Sequence, residues 1–425
     1  MANATGLQFT LLLPGANDVT VVDFIHHERL STPFKLTITF TSRDPGLDPA
    51  DHLDRDATLT IWQDGLALRR VHGIATEFCR GDSGHRRTFY TLTLQSALWR
   101  LSLRHNSRFF QHVSPLTIIN TLCEERGITD LAFAVTREPA EREYCVQYRE
   151  TDLAFIQRLA AEEGLFYFHE FFETGEDSPG GAHRLVFADV PQALAHLGER
   201  SYHRRAGGTP PLRHVRRLKQ VSRIRPTSVM LKDYSFKRPG YSQQHQAQLH
   251  DDVIDKEYEQ YDYPGRYKRD ASGKAFTRIR LEHLRHDALT ANAESDLPEL
   301  TPGRRFTLID HDLERLNRDW QVVSVTHTGK QPQALEEDGI ALGKASQGND
   351  QDGMTQYHNE LVLIPADTAW RPEPNPKPRV DGPQVAFVVG PESEEIHCDE
   401  HGRVKVQFPW DRYAEPNTAG AGGEA

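Results

Sequence analysis

A-T-L-T-I-W (Ala57–Trp62), R-V-H-G-I-A-T-E-F (Arg70–Phe78) and T-F-Y-T-L-T-L (Thr88–Leu94) are three runs in which apolar side chains alternate with polar ones. That is the period of a strand with one buried face. Gly and Asp separate the runs, as hairpin turns require. The same grammar returns near the other end of the chain, in the same order and at similar length: R-F-T-L-I-D (Arg305–Asp310), W-Q-V-V-S-V-T-H (Trp320–His327) and E-L-V-L-I-P (Glu360–Pro365). The repetition predicts an internal duplication of one small antiparallel β-barrel. F-K-L-T-I-T-F (Phe34–Phe40) adds a further strand to the first copy. The loop before the third run is short in the first copy, Cys79–Arg87. In the second it is long and polar, Gly329–Gln356, a composition that resists packing and predicts a mobile 329–356 insert.

Between the copies the pattern changes. Ser114-Pro115 is an N-cap and first-turn pair, followed to Gly127 by Leu116, Ile119 and Leu122 at helical spacing. A second helix follows Thr151-Asp152 with an apolar stripe of Leu153, Ile156, Leu159 and Ala160. Gly164 stands where a C-cap is wanted. L-F-Y-F-H-E-F-F (Leu165–Phe172) then reads as a strand packed on that helix. The predicted fold is mainly β with an α+β insertion. Residues 1–110 form the first barrel, 111–200 the α+β module, and 201–370 the second barrel with a helix near Ala275–Leu289. A Pro-rich linker covers 371–383, beginning R-P-E-P-N-P-K-P (Arg371–Pro378). Residues 384–425 announce two strands of another barrel, Q-V-A-F-V-V-G (Gln384–Gly390) and I-H-C-D-E-H-G-R-V-K-V-Q-F-P-W-D-R (Ile396–Arg412), and then a tail, N-T-A-G-A-G-G-E-A. Two strands alone are marginal in water. Residues from about 384 are therefore expected to be loosely held or paired in a non-native way, ending in a flexible tail.

Composition narrows the function. At ~100–200 residues per domain, 425 residues predict two to four domains. Mean hydropathy is −0.62 and the net charge is −11, which argues against general attraction to nucleic acid or anionic lipid. Cys79, Cys123, Cys145 and Cys398 form no C-x-x-C pair, which fits a reduced, cytosolic chain. The start of the chain shows no signal-peptide pattern, and Leu11–Leu13 is far short of the ~18 apolar residues a membrane helix needs.

Candidate chemistry is sparse. G-D-S-G (Gly81–Gly84) imitates a serine-protease motif, but turn chemistry explains the same letters, and no histidine or aspartate motif accompanies it. H-C-D-E-H (His397–His401) lacks a second cluster to complete a closed metal site, and strand alternation would spread its members over two faces. His26-His27-Glu28 and His169-Glu170 lack the helical H-E-x-x-H spacing. No catalytic, cofactor-binding or metal-binding residue is assigned, and the sequence argues for no enzyme and no cofactor. A basic block over 201–240 is followed by an acidic run, Asp251, Asp252, Asp255, Glu257, Glu259 and Asp262. The two are expected to meet each other or a neighbouring subunit.

Several further motifs carry a resemblance: H-H-E-R-L-S-T-P-F (His26–Phe34), S-R-F-F-Q (Ser107–Gln111), the run from Tyr144 to Phe168, Y-D-Y-P-G (Tyr261–Gly265), L-T-P-G-R-R-F (Leu300–Phe306) and D-E-H-G-R-V-K-V-Q-F-P-W-D-R (Asp399–Arg412). Together, in this order, they resemble the VgrG spike proteins of bacterial type VI secretion, similar to the hub and spike of contractile phage tails. The resemblance implies two related phage-tail-hub-like barrels per chain. It implies a homotrimer whose six barrels form a pseudo-six-fold ring capping the Hcp tube, with no nucleic-acid partner and no stable membrane insertion. It also implies an OB-fold barrel and a β-helical needle beyond, with PAAR-type tip proteins and effectors carried on C-terminal regions absent here. Such a protein assembles in the bacterial cytoplasm and is expelled without a signal peptide. The chain departs from the family pattern at Pro409, where His is common, at Cys398, where Thr or Val is usual, and in its Gly/Ala tail. A contractile-prophage tail hub is the nearest alternative, and a hydrolytic effector the alternative from another class.

Overall fold

The computed structural model describes residues 6–172, 182–204, 213–249, 256–334, 354–391 and 397–413. The first six strands are β1 (Leu7–Leu12), β2 (Val19–Arg29), β3 (Thr32–Ser42), β4 (Asp56–Gln63), β5 (Leu66–Ser83) and β6 (Thr88–Gln95), with a short helix α1 (Pro49–His52) before β4. Their alternation buries Phe9, Phe24, Phe34, Leu36, Ile38, Phe40, Leu59, Ile61, Tyr90, Leu92 and Leu94 in one core. The strands lie side by side in the order β1-β4-β5-β6-β3-β2.

The α+β module follows, with β7 (His105–Phe110), α2 (Pro115–Glu124), β8 (Leu131–Ala134), β9 (Cys145–Thr151), α3 (Asp152–Glu163), β10 (Phe166–Phe172) and β11 (Ala182–Ala188). Both helices start where the sequence places their caps. Ser114 Oγ accepts from the Thr117 N–H at 3.2 Å, and Thr151 Oγ1 from the Ala154 N–H at 3.1 Å. Gly164 ends α3 with φ of +74°, and a Cβ there would come within 2.8 Å of Ile279, so both conformation and space demand glycine.

The second set is β12 (Ala195–Ser201), β13 (Val215–Ser222), β14 (Ser228–Asp233), β15 (Gln243–Gln248), β16 (Glu259–Asp262), α4 (Asp270–Arg285), β17 (Leu289–Ser295), β18 (Arg304–Ile309), β19 (Asp319–Lys330) and β20 (Gln356–Pro365). Six of these run in the order β12-β18-β19-β20-β17-β13, the order of the first set strand for strand. The bulges recur as well. Thr76 of β5 and Val323 of β19 are each the extra residue against the neighbouring strand, and so are Val22 of β2 and Arg216 of β13. The two related barrels predicted from sequence are therefore present as two half-sheets, fused into one twelve-stranded sheet by antiparallel pairing of β2 with β19. The symmetry breaks at one edge, where β1 is antiparallel to β4 but β12 is parallel to β18.

Some boundaries differ from the sequence reading. The predicted Ala275–Leu289 helix is α4, shifted to Asp270–Arg285, and Leu289 opens β17 because its alternation serves the second core. The strands flanking the predicted 329–356 insert reach further in, to Lys330 and from Gln356. Residues 335–353 of that insert lie outside the described residues, as do 414–425 of the predicted flexible tail. β14, β15 and β16 form a separate three-stranded sheet under α4, with Val229, Leu231, Tyr267 and Leu281 as its core. Near the C-terminus, β21 (Phe387–Val389) and β22 (Lys405–Gln407) pair antiparallel.

Candidate functional site

The seam between the half-sheets holds a buried polar group. His26 and Glu28 are two apart on β2, so strand alternation sends both inward. The β2–β19 register sets His26 directly opposite His327. Arg69 of β5 reaches in and donates from Nη2 to Glu28 Oε2 at 2.5 Å, and from Nη1 to His327 Nε2 at 2.5 Å and to the Pro298 carbonyl at 3.2 Å. His327 Nδ1 meets the Tyr357 hydroxyl at 2.5 Å. All of these side chains are buried. Burial raises the Glu28 carboxyl, but the Arg69 guanidinium beside it wins and holds it well below the usual carboxylate range. Burial pushes the His327 imidazole down to about 4 and lowers His26 as well, so both are neutral near pH 7.

Two histidines and a carboxylate whose ligand atoms lie within 4.8 Å of one another resemble a metal set. The guanidinium of Arg69 already supplies the cation that neutralises Glu28, so the donor set does not fit a second one. The Glu28–Arg69 ion pair lies within the first half-sheet, and its hydrogen bonds to His327 and to the Pro298 carbonyl tie it to the second. Sequence spacing dismissed His26-His27-Glu28, and strand alternation was the one signal that could have linked two of its members. His327 is 299 residues from Glu28, and no local pattern joins them.

A second histidine group sits where the first half-sheet meets the α+β module. His183 Nε2 accepts from the Ala97 N–H at 3.1 Å, and His183 Nδ1 contacts His72 Nδ1 at 3.2 Å. His169 packs edge-on against Phe34 and His183. Burial pushes His169 to about 4 and His183 to about 3, so both rings are neutral near pH 7.

The remaining sequence candidates fall apart. Ser83 of G-D-S-G shares its hydroxyl with Thr88 Oγ1 at 2.9 Å and with Arg80, an exposed turn with no histidine partner. In H-C-D-E-H, Asp399 accepts from the backbone N–H groups of His401 and Arg403 and from the Arg403 side chain, which closes a turn rather than a metal site. Arg217 of the basic block pairs with Glu294, and Arg225 with Asp287, so partners come from β17 and its approach rather than the adjacent acidic run. Of that run, 251, 252 and 255 lie outside the described residues.

The linker and terminal strands are tied down by residues the sequence reading missed. Arg371, buried at the head of R-P-E-P, donates to the carbonyls of Gly164 and Asp189 and pairs with Glu282 of α4 at 2.7 Å. It joins module, α4 and linker at one point. The sequence predicts residues from about 384 to be loosely held or paired in a non-native way; in the structure 408–413 pack against the module. Trp410 stacks on Phe109 and Phe408 and meets Tyr148 edge-on, while Arg108 lies over the Tyr413 ring. The Arg412 N–H donates to the Ser107 carbonyl at 3.2 Å. These aromatics dock on β7 and β9 of the module.

A twelve-stranded sheet of two like halves with an α+β module beside it defines the class. The profile of the phage tail baseplate hub (GPD) matches residues 27–333, and the chain belongs to that family. Over 424 residues it is 46% identical to the type VI secretion system spike protein VgrG3 of Vibrio cholerae, covering 97% of this chain and 40% of that protein. It is 44% identical over 426 residues to the actin cross-linking toxin VgrG1 of Vibrio cholerae, covering 97% of this chain and 37% of that protein. The chain thus spans about two fifths of the length of these relatives. The Escherichia coli c3393 protein, a type VI secretion component with structural similarity to T4 bacteriophage tail proteins gp27 and gp5, shares the fold at a TM-score of 0.67 and 20% identity, over 94% of this chain and 88% of that one.

Proposed function

We propose that this chain is the hub portion of a type VI secretion spike, a structural part that seats on the Hcp tube and carries the needle outward when the machine fires. One observation carries the reading. Two half-sheets of identical strand order and matching bulges lie within a chain 46% identical, over 97% of its length, to a type VI spike protein. A tube of six-fold symmetry needs six like contacts, and three copies of a two-fold-repeated chain provide them. The reading assigns the chain no catalysis. At the seam His26 and His327 are held neutral by burial, and the Glu28 carboxylate beside them is ion-paired. No helix among the described residues is long and apolar enough to cross a membrane, in keeping with a part that is expelled whole.

The test is mass and binding together. Light scattering of the purified chain is expected to give three times the 48.3 kDa chain mass, and the trimer is expected to co-sediment with preformed Hcp tubes. A trimer that binds a contractile-phage tail tube and ignores Hcp would shift the assignment to a prophage hub. Turnover of a peptide, glycan or phosphoester substrate that survives purification would overturn the structural reading.

A further inference from the structure

The small sheet of β14, β15 and β16 has one side covered and one side open. Val229 and Leu231 of β14 bury against α4, where they share a core with Tyr267 and Leu281. Their cross-strand neighbours Ala247 and His245 lie on the same side, and His245 Nε2 meets Asp270 at the start of α4 at 3.1 Å. Strand alternation sends the residues between them to the other side. On β14 these are Ser228, Met230 and Lys232; on β15 they are Gln244, Gln246 and Gln248; on β16 they are Glu259 and Tyr261. Gln246 Nε2 donates to Glu259 Oε2 at 3.4 Å across β14, which puts both on this one side. Ser228 is buried and Met230 half-buried, while the other six are exposed, Tyr261 by 57%. Gln246, Met230 and Tyr261 form one row across the three strands.

The chemistry of this face selects its ligand. Lys232 and Glu259 balance one another, so the face draws neither a polyanion nor a cation. The row spans two strand spacings, about 10 Å, and Gln244 to Gln248 spans about 14 Å. That platform is far smaller than the ~800 Å² a stable protein contact covers on each partner. Met230 is also its one aliphatic side chain, too little for the apolar centre of such a contact. What remains is amide and ring. Each glutamine amide offers two donors and an acceptor, the complement of neighbouring hydroxyls. Tyrosine offers a flat apolar ring with a polar tip. Three amides about 7 Å apart along one strand, facing an exposed ring, suit a ligand made of hydroxyls and flat C–H faces. We propose that this face binds a neutral oligosaccharide, with a pyranose ring stacked on Tyr261 and its hydroxyls held by Gln246 and the glutamines on either side. The inference goes beyond the hub reading, and the two stand or fall separately.

Saturation-transfer NMR on the whole chain tests this with three neutral probes at millimolar concentration: tetra-N-acetylchitotetraose, cellotetraose and maltotetraose. Transfer to the ring protons of at least one is expected, and the preferred probe identifies the sugar repeat. Tyr261→Ala is expected to abolish the transfer, whereas Tyr261→Phe, which keeps the ring, is expected to retain it. Gln246→Ala is expected to weaken binding about fivefold or more, through lost hydrogen bonds. Both side chains are exposed, so the thermal midpoint of each variant is expected to stay put. No transfer to any probe, or undiminished transfer in Tyr261→Ala, overturns the proposal and leaves the hub reading untouched. Accessibility tests the two protein occupants. Cys79 and Cys398 are the exposed cysteines, so Gln246→Cys in a Cys79→Ser, Cys398→Ser chain gives one exposed thiol on the platform. Maleimide is expected to label it equally fast in concentrated and in diluted protein. Slower labelling in the concentrated sample would mean that a second copy covers the face, and slower labelling on adding Hcp tubes would mean that the tube does; either overturns the sugar site.

Discussion

The first half-sheet is completed between Leu7 and Gln95, with Leu30 and Ser31 alone joining β2 to β3. The second takes Ala195 to Pro365 to lay down the same order, because residues 223–288 intervene between β13 and β17. The shared order and bulges survive this interruption for two physical reasons. Loop-closure entropy grows slowly with length, so a long connection costs little more than a short one. The intervening residues also bury their own core of Val229, Leu231, Tyr267 and Leu281, so they add a unit rather than loosening the sheet. The halves differ most at the seam, where β2 and β19 enclose ionisable groups while β13 and the far end of β5 face outward. Register is set by which face must be buried, and connection length is left free.

The strongest way to break that comparison is to remove the charge at the seam. Arg69→Leu strands the buried Glu28 carboxylate, and about 3–5 kcal/mol of stability is expected to be lost in denaturant unfolding. Adding Glu28→Gln to Arg69→Leu is expected to recover a large part of it. A single-variant loss below about 1 kcal/mol, the range of exposed pairs, would show that the buried group contributes little at the seam.

Acid probes the same seam together with the module contact. His169 and His327 sit at about 4 and His183 at about 3 in the folded chain, against an ordinary 6.5. The folded form holds them neutral while the unfolded chain takes up protons below about 6.5, so their contribution is complete above that pH. It is lost progressively as pH falls from 6.5 toward 4, by on the order of a few kcal/mol in total. The midpoint of thermal unfolding is expected to drop steeply over that window. His327→Gln, which removes one titrating group, is expected to flatten the drop, and an unchanged slope would place the acid sensitivity elsewhere.

A smaller effect sharpens the comparison at one residue. Gly329 of β19 lies at the closed seam, where a Cβ would come within 2.2 Å of the Phe24 ring, whereas Asp82 lies on the exposed far end of β5. Gly329→Ala is expected to cost about 1–3 kcal/mol by overpacking. Asp82→Ala, on that exposed end, is expected to leave monomer stability within about 0.5 kcal/mol. Equal losses at both positions would contradict the assignment of Gly329 to a closed seam and Asp82 to an open one.

Much of this molecule was legible before any coordinates. Apolar alternation marks the strands of both halves, Ser114, Thr151 and Gly164 mark helix ends, and the repeated order of three runs marks the duplication. These signals are local, carried by periods of two or 3.6 residues and by the backbone needs of a cap. The helix boundary near Asp270 was misplaced because Gly273 interrupts the pattern there, although in the structure it only makes room for Tyr267 and His245. The docking of Trp410 could not be read either, since its partners Phe109 and Tyr148 sit on the paired strands β7 and β9, far earlier in the chain, and no period links them.

By itself, then, the sequence determined which segments are strands and helices, which faces they bury, and that one barrel pattern occurs twice. Only the tertiary structure decided which edges meet. His26, Glu28, Arg69 and His327 become one buried group because β2 pairs with β19, and Arg371 becomes an anchor because module, linker and α4 converge on it. Side-chain period is a property of neighbouring residues, whereas partner choice among exposed strand edges is settled by burial across the whole chain.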